Sequence, residues 1–201
     1  MEALKEYRYT VSATVGVLVC CVFTIVFLPR PEEMIAPTPL SNVVLQPSDL
    51  IQNTFEQKAP STECNKYLSP QIQSESIEQS LLECYQVKFT SYDDNIIVLN
   101  AIWIFNDQTV AKLELAKLLE LSPNVENVDI SIVPVSGELG ETSGASIGVI
   151  TGGKAPLYFS NLYWQQGSAI VRLSALNYQG LIDLNSMMGP AKNIEQRLTS
   201  R

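Results

Sequence analysis

Four cysteines, a pair of adjacent aspartates and one glycine-rich run are the residues of this chain whose types and spacing could do chemistry. Cys64 and Cys84 are the two cysteines outside the apolar N-terminal segment. An even count in an oxidising compartment reads as a disulfide. Closing a loop of this length would stabilise the fold by about 3 kcal/mol on the chain-entropy view. A redox-active pair would want a Cys-x-x-Cys arrangement with one depressed thiol, which this spacing does not offer. Asp93-Asp94 falls between two strand-like runs, where aspartate serves a turn through its side-chain hydrogen bonds. A solvated turn tip therefore explains the pair better than acid–base catalysis. Gly148-Val-Ile-Thr-Gly-Gly-Lys-Ala155 comes within one residue of a phosphate-binding loop. Ala155 lacks the hydroxyl that would hold magnesium, and Pro156 opens a strand-like run rather than a phosphate-capping helix, so a hairpin turn is expected there.

The chain contains no histidine. That removes the usual general base near neutral pH, the commonest zinc ligand and the Ser-His and Cys-His dyads. No Gly-x-Ser-x-Gly elbow, Ser-x-x-Lys motif or cluster of metal ligands replaces it, so no catalytic residue, cofactor or metal is expected and the chain reads as non-enzymatic. With 13 Lys+Arg against 21 Asp+Glu the formal charge is -8, which repels phosphate and argues against nucleic acid as a partner.

The elements that must carry these residues begin with an apolar one. Residues 10–28 read TVSATVGVLVCCVFTIVFL, 19 residues without charge or proline. At about 1.5 Å rise per residue this run is close to the thickness of a hydrocarbon core. It is longer than the apolar part of a signal peptide and has no convincing cleavage site after it, so it is expected to be an uncleaved transmembrane helix. Lys5 and Arg8 before it, against Arg30 after it, place residues 1–9 in the cytoplasm. Within this span Ser12, Gly16, Cys20 and Thr24 recur every four residues, a stripe of small side chains that would let a second helix approach closely.

Beyond the span, residues 31–201 carry 10 Lys+Arg and 19 Asp+Glu, a formal charge of -9, and no Asn-x-Ser/Thr sequon, which fits a bacterial periplasm. Residues 29–47 contain Pro29, Pro31, Pro37, Pro39 and Pro47 and read as an extended tether, so the domain is expected at 48–201. Ser48 is expected to cap a helix through Gln57. Ser74 should cap a second, with Ile77, Leu81, Cys84 and Tyr85 on one face. Strand-like runs follow at 85–92 and 95–105, the second apolar on both faces and hence central. A helix from Asn106 or Asp107 to Leu121 and a strand at 128–132 complete a strand–helix–strand unit, with Leu113 and Leu121 off the helix's main apolar face. A flexible, acidic loop at 136–144, strand-like runs at 145–151, 157–165 and 169–184, the last broken near Gly180, and a short helix at 191–198 complete the domain. The fold class is α+β, a single transmembrane helix followed by one exported domain with a largely antiparallel sheet and a few helices. Trp103, Tyr158, Tyr163 and Trp164, with Phe159, are expected in the core. The sharper expectation is an aromatic-lined surface or cavity for a lipid-like or sterol-like ligand or a partner.

This layout of short tail, anchor, proline-rich tether and acidic domain with Cys64 and Cys84 resembles the small bitopic periplasmic partners of membrane-bound transcription regulators, the ToxS-like and FidL-like proteins. The resemblance implies a non-enzymatic inner-membrane protein that binds and stabilises a membrane protein partner, and a homo- or hetero-oligomer is compatible with that role. The alternative is an assembly-platform component of a pilus or secretion machine, which the strand–helix–strand unit suits. Non-reducing peptide mapping of the full-length chain should return one linked pair, Cys64 with Cys84. Recovery of both as free thiols without reductant would sink the pairing.

Overall fold

The structure, a computed structural model, describes residues 38–50, 55–62, 80–91, 95–120, 127–135 and 139–201. The expected membrane span, its stripe of Ser12, Gly16, Cys20 and Thr24, and the residues Cys64, Asp93 and Asp94 lie outside that set. Among the described residues no helix is long and apolar enough to cross a membrane.

The described residues form an α+β unit spanning Thr38–Arg201. Its elements run α1 (Leu40–Val43), a 3-10 turn (Pro47–Asp49), β1 (Phe55–Ser61), β2 (Leu81–Ser91), β3 (Ile96–Phe105), α2 (Gln108–Glu120), β4 (Val128–Val133), β5 (Thr142–Ile150), β6 (Leu157–Gln166), β7 (Ala169–Asn177) and α3 (Leu184–Thr199). The seven strands form one sheet in the order β1-β2-β3-β7-β6-β5-β4, and every neighbouring pair is antiparallel. β3 is central, which explains its apolar character on both faces. β3 and β4 lie parallel but are not neighbours. α2 carries the chain between them, packing across β3, β7, β6 and β5 to reach the far edge.

Alternation along the strands divides the core in two. On one face Val87, Phe89, Val98, Ile102, Leu162, Trp164, Val171 and Leu173 pack beneath α1 and α3. On the other, Ala101, Trp103, Phe105, Tyr163 and Ile170 pack beneath Ala111 and Leu115 of α2. Asp107 caps α2, its Oδ1 accepting from Thr109 N at 2.6 Å and Val110 N at 3.3 Å. These bonds hold the Asp107 carboxyl below its ordinary range. Leu113 stays 57% exposed, so among the described residues α2 buries no second side through it; Leu121 lies outside that set.

Four expectations are corrected. Residues 38–47 are not tether, because Val43, Val44 and Leu45 are no more than 1% exposed and belong to the core. Burying an aliphatic side chain is worth about 1.5–3 kcal/mol, enough to outweigh a local preference for extended chain. The helix expected from Ser48 to Gln57 is replaced at its start by a 3-10 turn, Pro47–Asp49, and at its end by the edge strand β1; residues 51–54 lie outside the described set. Cys84 lies on β2 opposite Trp103 rather than on a helix, since β2 gains a ladder with β3 that runs in register from Glu83 to Ser91. The last helix begins at Leu184, running through Gly189-Pro190 instead of starting after them. Met187, Ala191, Ile194 and Leu198 recur at four-, three- and four-residue steps, and burying that stripe overrides the proline penalty.

The loop expected at 136–144 is tied down on the described side. Gly140 takes φ +56°, and a Cβ there would collide with Gln165 O. Its N–H donates to Glu195 Oε1, while Glu141 receives Gln108 Nε2 at 2.6 Å and Gly167 N at 3.0 Å. Gly140→Ala should lower the unfolding free energy by about 2 kcal/mol or more, because the left-handed backbone and the collision both oppose a side chain. Gly189→Ala, in α3 with nothing beyond its chain neighbours within 4 Å of the added carbon, should instead change it by less than about 1 kcal/mol, because the gain in helix propensity is offset by crowding against the ring of Pro190. Urea unfolding of both variants checks the pair, and equal shifts would refute this reading of Gly140.

Candidate binding cavity

The cavity lies on the α1/α3 face of the sheet and has a volume of about 250 Å³. Ile96 and Val98 of β3 and Leu173 and Ala175 of β7 make its floor. Leu50 and Phe55 close one side, and Ile182, Met187 and Pro190 the other. Val98 and Ala175 are cross-strand partners, so the small Ala175 leaves a gap where the helix above could otherwise touch the sheet. The lining is apolar apart from Asp49 and Ser186. Ser186 Oγ donates to Asp183 O at 2.6 Å, a bond that belongs to the cap of α3. Asp183 itself accepts from Asn185 N at 3.0 Å, which sets where α3 starts and so where the cavity ends.

Asp49 is the polar centre of this region. Its side chain is 4% exposed and pairs with Arg197, Oδ2 receiving Nη2 at 2.6 Å and Oδ1 receiving Nη1 at 3.1 Å. Asn193 Nδ2 donates to Oδ1 at 3.1 Å and Gln46 N to Oδ2 at 2.8 Å. Arg197 also donates to Val43 O and Val44 O, both at 3.1 Å. One guanidinium thus clips residues 43–49 to α3. Burial pushes the Asp49 carboxyl up, but the Arg197 bonds and charge, with Gln46 and Asn193, outweigh it and hold the carboxyl below its usual range. Both oxygens are occupied, so Asp49 is a structural anchor and not an acid or base facing the cavity. Asn100, fully buried in β3, adds a second clip: Oδ1 accepts from Leu45 N and Nδ2 donates to Arg172 O, both at 2.9 Å.

The aromatic residues singled out from the sequence do not line this cavity. Trp103 and Trp164 are 1% and 0% exposed and face opposite sides of the sheet, because they pair with Ile170 and Val171, consecutive residues of the intervening β7 that point to opposite faces. Tyr163 shares the α2 face with Trp103, and Arg172 lies between their strands with its guanidinium 5.4 Å from the Trp103 ring centre. Burial draws the Arg172 guanidinium below its usual range. Tyr158 borders a shallow depression of about 160 Å³ with Asp129, Ser131 and Leu181. Core packing therefore accounts for Trp103, Tyr163 and Trp164, and the apolar cavity arises elsewhere. Asp49, Arg197 and Asn100 were missed. Their signals were an arginine beside the apolar stripe of α3 and one amide inside an otherwise apolar strand. Among the described residues no group of three potential metal ligands comes together.

No family model matches this chain, and no curated protein matches it. Among solved structures, the extracellular domain of PknH from Mycobacterium tuberculosis is similar, with a TM-score of 0.56 at 11% identity over 80% of this chain and 95% of that one. At that identity the likeness is one of fold, and the fold is one that an extracellular domain uses.

Asp49→Asn should lower the unfolding free energy by about 2–4 kcal/mol, somewhat under the loss for a fully buried pair because Arg197 is 28% exposed. The Asp49 carboxyl is depressed in the folded state. Its contribution is therefore complete above the unfolded value of about 4 and lost as pH falls through the lower folded value. Unfolding curves taken from pH 7 downward should show the wild type approaching the variant only in that acid window. A constant gap between them at every pH would refute the assignment.

Proposed function

We propose that this chain is a non-enzymatic, single-pass protein of the bacterial inner membrane, held by residues 10–28, whose periplasmic domain binds and stabilises a membrane protein partner. The apolar cavity beneath α3 is the recognition element, and an apolar side chain of the partner fills it. The observation that carries this reading is the cavity's character: an apolar recess of about 250 Å³ whose carboxylate is fully engaged with Arg197, Asn193 and Gln46. Pockets filled by an aromatic or aliphatic anchor are where protein interfaces concentrate their binding energy. The anchor at residues 10–28 in this reading supports a partner in the same bilayer. The likeness to an extracellular domain supports export. A disulfide joining Cys64 and Cys84 belongs to the same reading, because it requires an oxidising compartment.

A photoactivatable residue at the exposed rim position Ser186, in the full-length chain in membranes, should give one adduct with a membrane protein. Ala175→Leu fills the cavity floor and should abolish that adduct with the thermal midpoint within about 3 °C of the parent, because the added carbons enter free space. Absence of any adduct with a membrane protein, or an adduct undiminished in a folded Ala175→Leu variant, would overturn the reading.

A further inference from the structure

We propose that two copies of this chain pair edge to edge through β4, extending the antiparallel sheet across a two-fold axis at Ile130. Among the described residues β4 ends the sheet, with β5 on one side and no strand on the other. Such an edge presents unpaired amide groups and is a template for a further strand unless it is blunted. The opposite edge is blunted: β1 carries Lys58 and Pro60 and a register irregularity between Lys58 and Ser61. β4 reads Val-Asp-Ile-Ser-Ile-Val, with no lysine, arginine or proline, and leaves Ile132 47% exposed.

Register decides which partner suits this edge. Thr151 N donates to Asn127 O at 2.8 Å, extending the β4–β5 ladder by one pair. Hydrogen-bonded pairs alternate along an antiparallel ladder, so Asp129, Ser131 and Val133 bond to β5, and the amides of Val128, Ile130 and Ile132 point outward. A two-fold axis through Ile130 sets Ile130 against itself, Val128 against Ile132 and Asp129 against Ser131. All three outward amides then meet an outward partner, the apolar side chains match on one face, and the carboxylates avoid each other. Moving the axis to Asp129 places like charges directly opposite, which destabilises a sheet. Moving it to Ser131 sets Val128 against Pro134, which has no N–H to give. The edge is thus self-complementary in one register, as an isologous interface demands. A six-residue ladder is small for a free dimer. Two copies held in one bilayer meet at raised effective concentration, which lowers the affinity such a contact requires.

The test uses the full-length chain in membranes, with Cys20→Ser and Cys21→Ser to remove membrane-segment crosslinks. On mild oxidation Ile130→Cys should form a disulfide-linked dimer, since facing residues in a hydrogen-bonded pair have Cα atoms about 5.5 Å apart. Ile132→Cys alone should not, because its two copies would sit about 14 Å apart along the strands. Co-expressing Val128→Cys with Ile132→Cys should restore the dimer, and Lys58→Cys on the opposite edge should give none. Ile130→Lys should reduce the dimer fraction at least about tenfold without moving the thermal midpoint. No dimer at position 130, equal crosslinking at 130 and 132, or a crosslink to a different protein would each overturn the proposal. None of these outcomes depends on the cavity, so this result and that of the Ser186 adduct stand apart.

Discussion

The Arg197 guanidinium, bonded at once to Asp49 and to the carbonyls of Val43 and Val44, joins the first described turn of the domain to its last helix. The rest of one sheet face depends on it. A sheet face lined by Val87, Phe89, Val98, Leu162, Trp164, Val171 and Leu173 needs an apolar cover, and neither a four-residue helix nor one amphipathic helix is wide enough alone. Tied together, α1 and α3 make that cover. A buried ion pair has a large desolvation cost, and this one offsets it with four hydrogen bonds from the Arg197 guanidinium and with both Asp49 oxygens engaged, while Arg197 stays 28% exposed. Its geometric role follows: Val44 and Leu45 can be buried only if the backbone around them keeps its hydrogen bonds, and Arg197 and Asn100 supply them.

The two faces of the sheet are closed by different means, and the difference shapes the surface available for recognition. α2 lies across four strands and brings its own alanine and leucine down onto Trp103, Phe105 and Tyr163, leaving that part tightly filled. On the opposite face the cover is assembled from separate pieces, α3 with the four-residue α1, and the strand positions beneath α3 include the small Ala175. Close packing fails locally there, and the cavity is the result. The arrangement also explains why the aromatic residues are structural. They fill the regions where a large side chain completes a layer, whereas the recess is bounded mainly by aliphatic side chains from separate parts of the chain, with Phe55 the one aromatic among them.

Much of the domain is legible in the sequence because it rests on local chemistry. The alternation in Val128–Val133, the apolar run Ile96–Phe105, the aspartate capping α2 and the glycine turns between β5, β6 and β7 each follow from a short stretch of residues. The misread segments share one property. Residues 38–47, the start of β2 and the start of α3 have weak or contradictory local preferences, with proline or mixed periodicity. Their conformation was settled by what they bury against residues far away in the chain.

The amino-acid sequence by itself determined an acidic, histidine-free chain with one long apolar segment and an α+β domain built mainly of antiparallel strands. Those properties depend on counts and on spacings within a few residues, which a linear string contains in full. Only the tertiary structure decided that Asp49 meets Arg197 across 148 positions, that β4 and not a later strand ends the sheet, and that the recess forms under α3 instead of around Trp103. Strand order and the pairing of distant polar groups are fixed by the joint burial of both faces, a quantity that no single stretch of the chain carries.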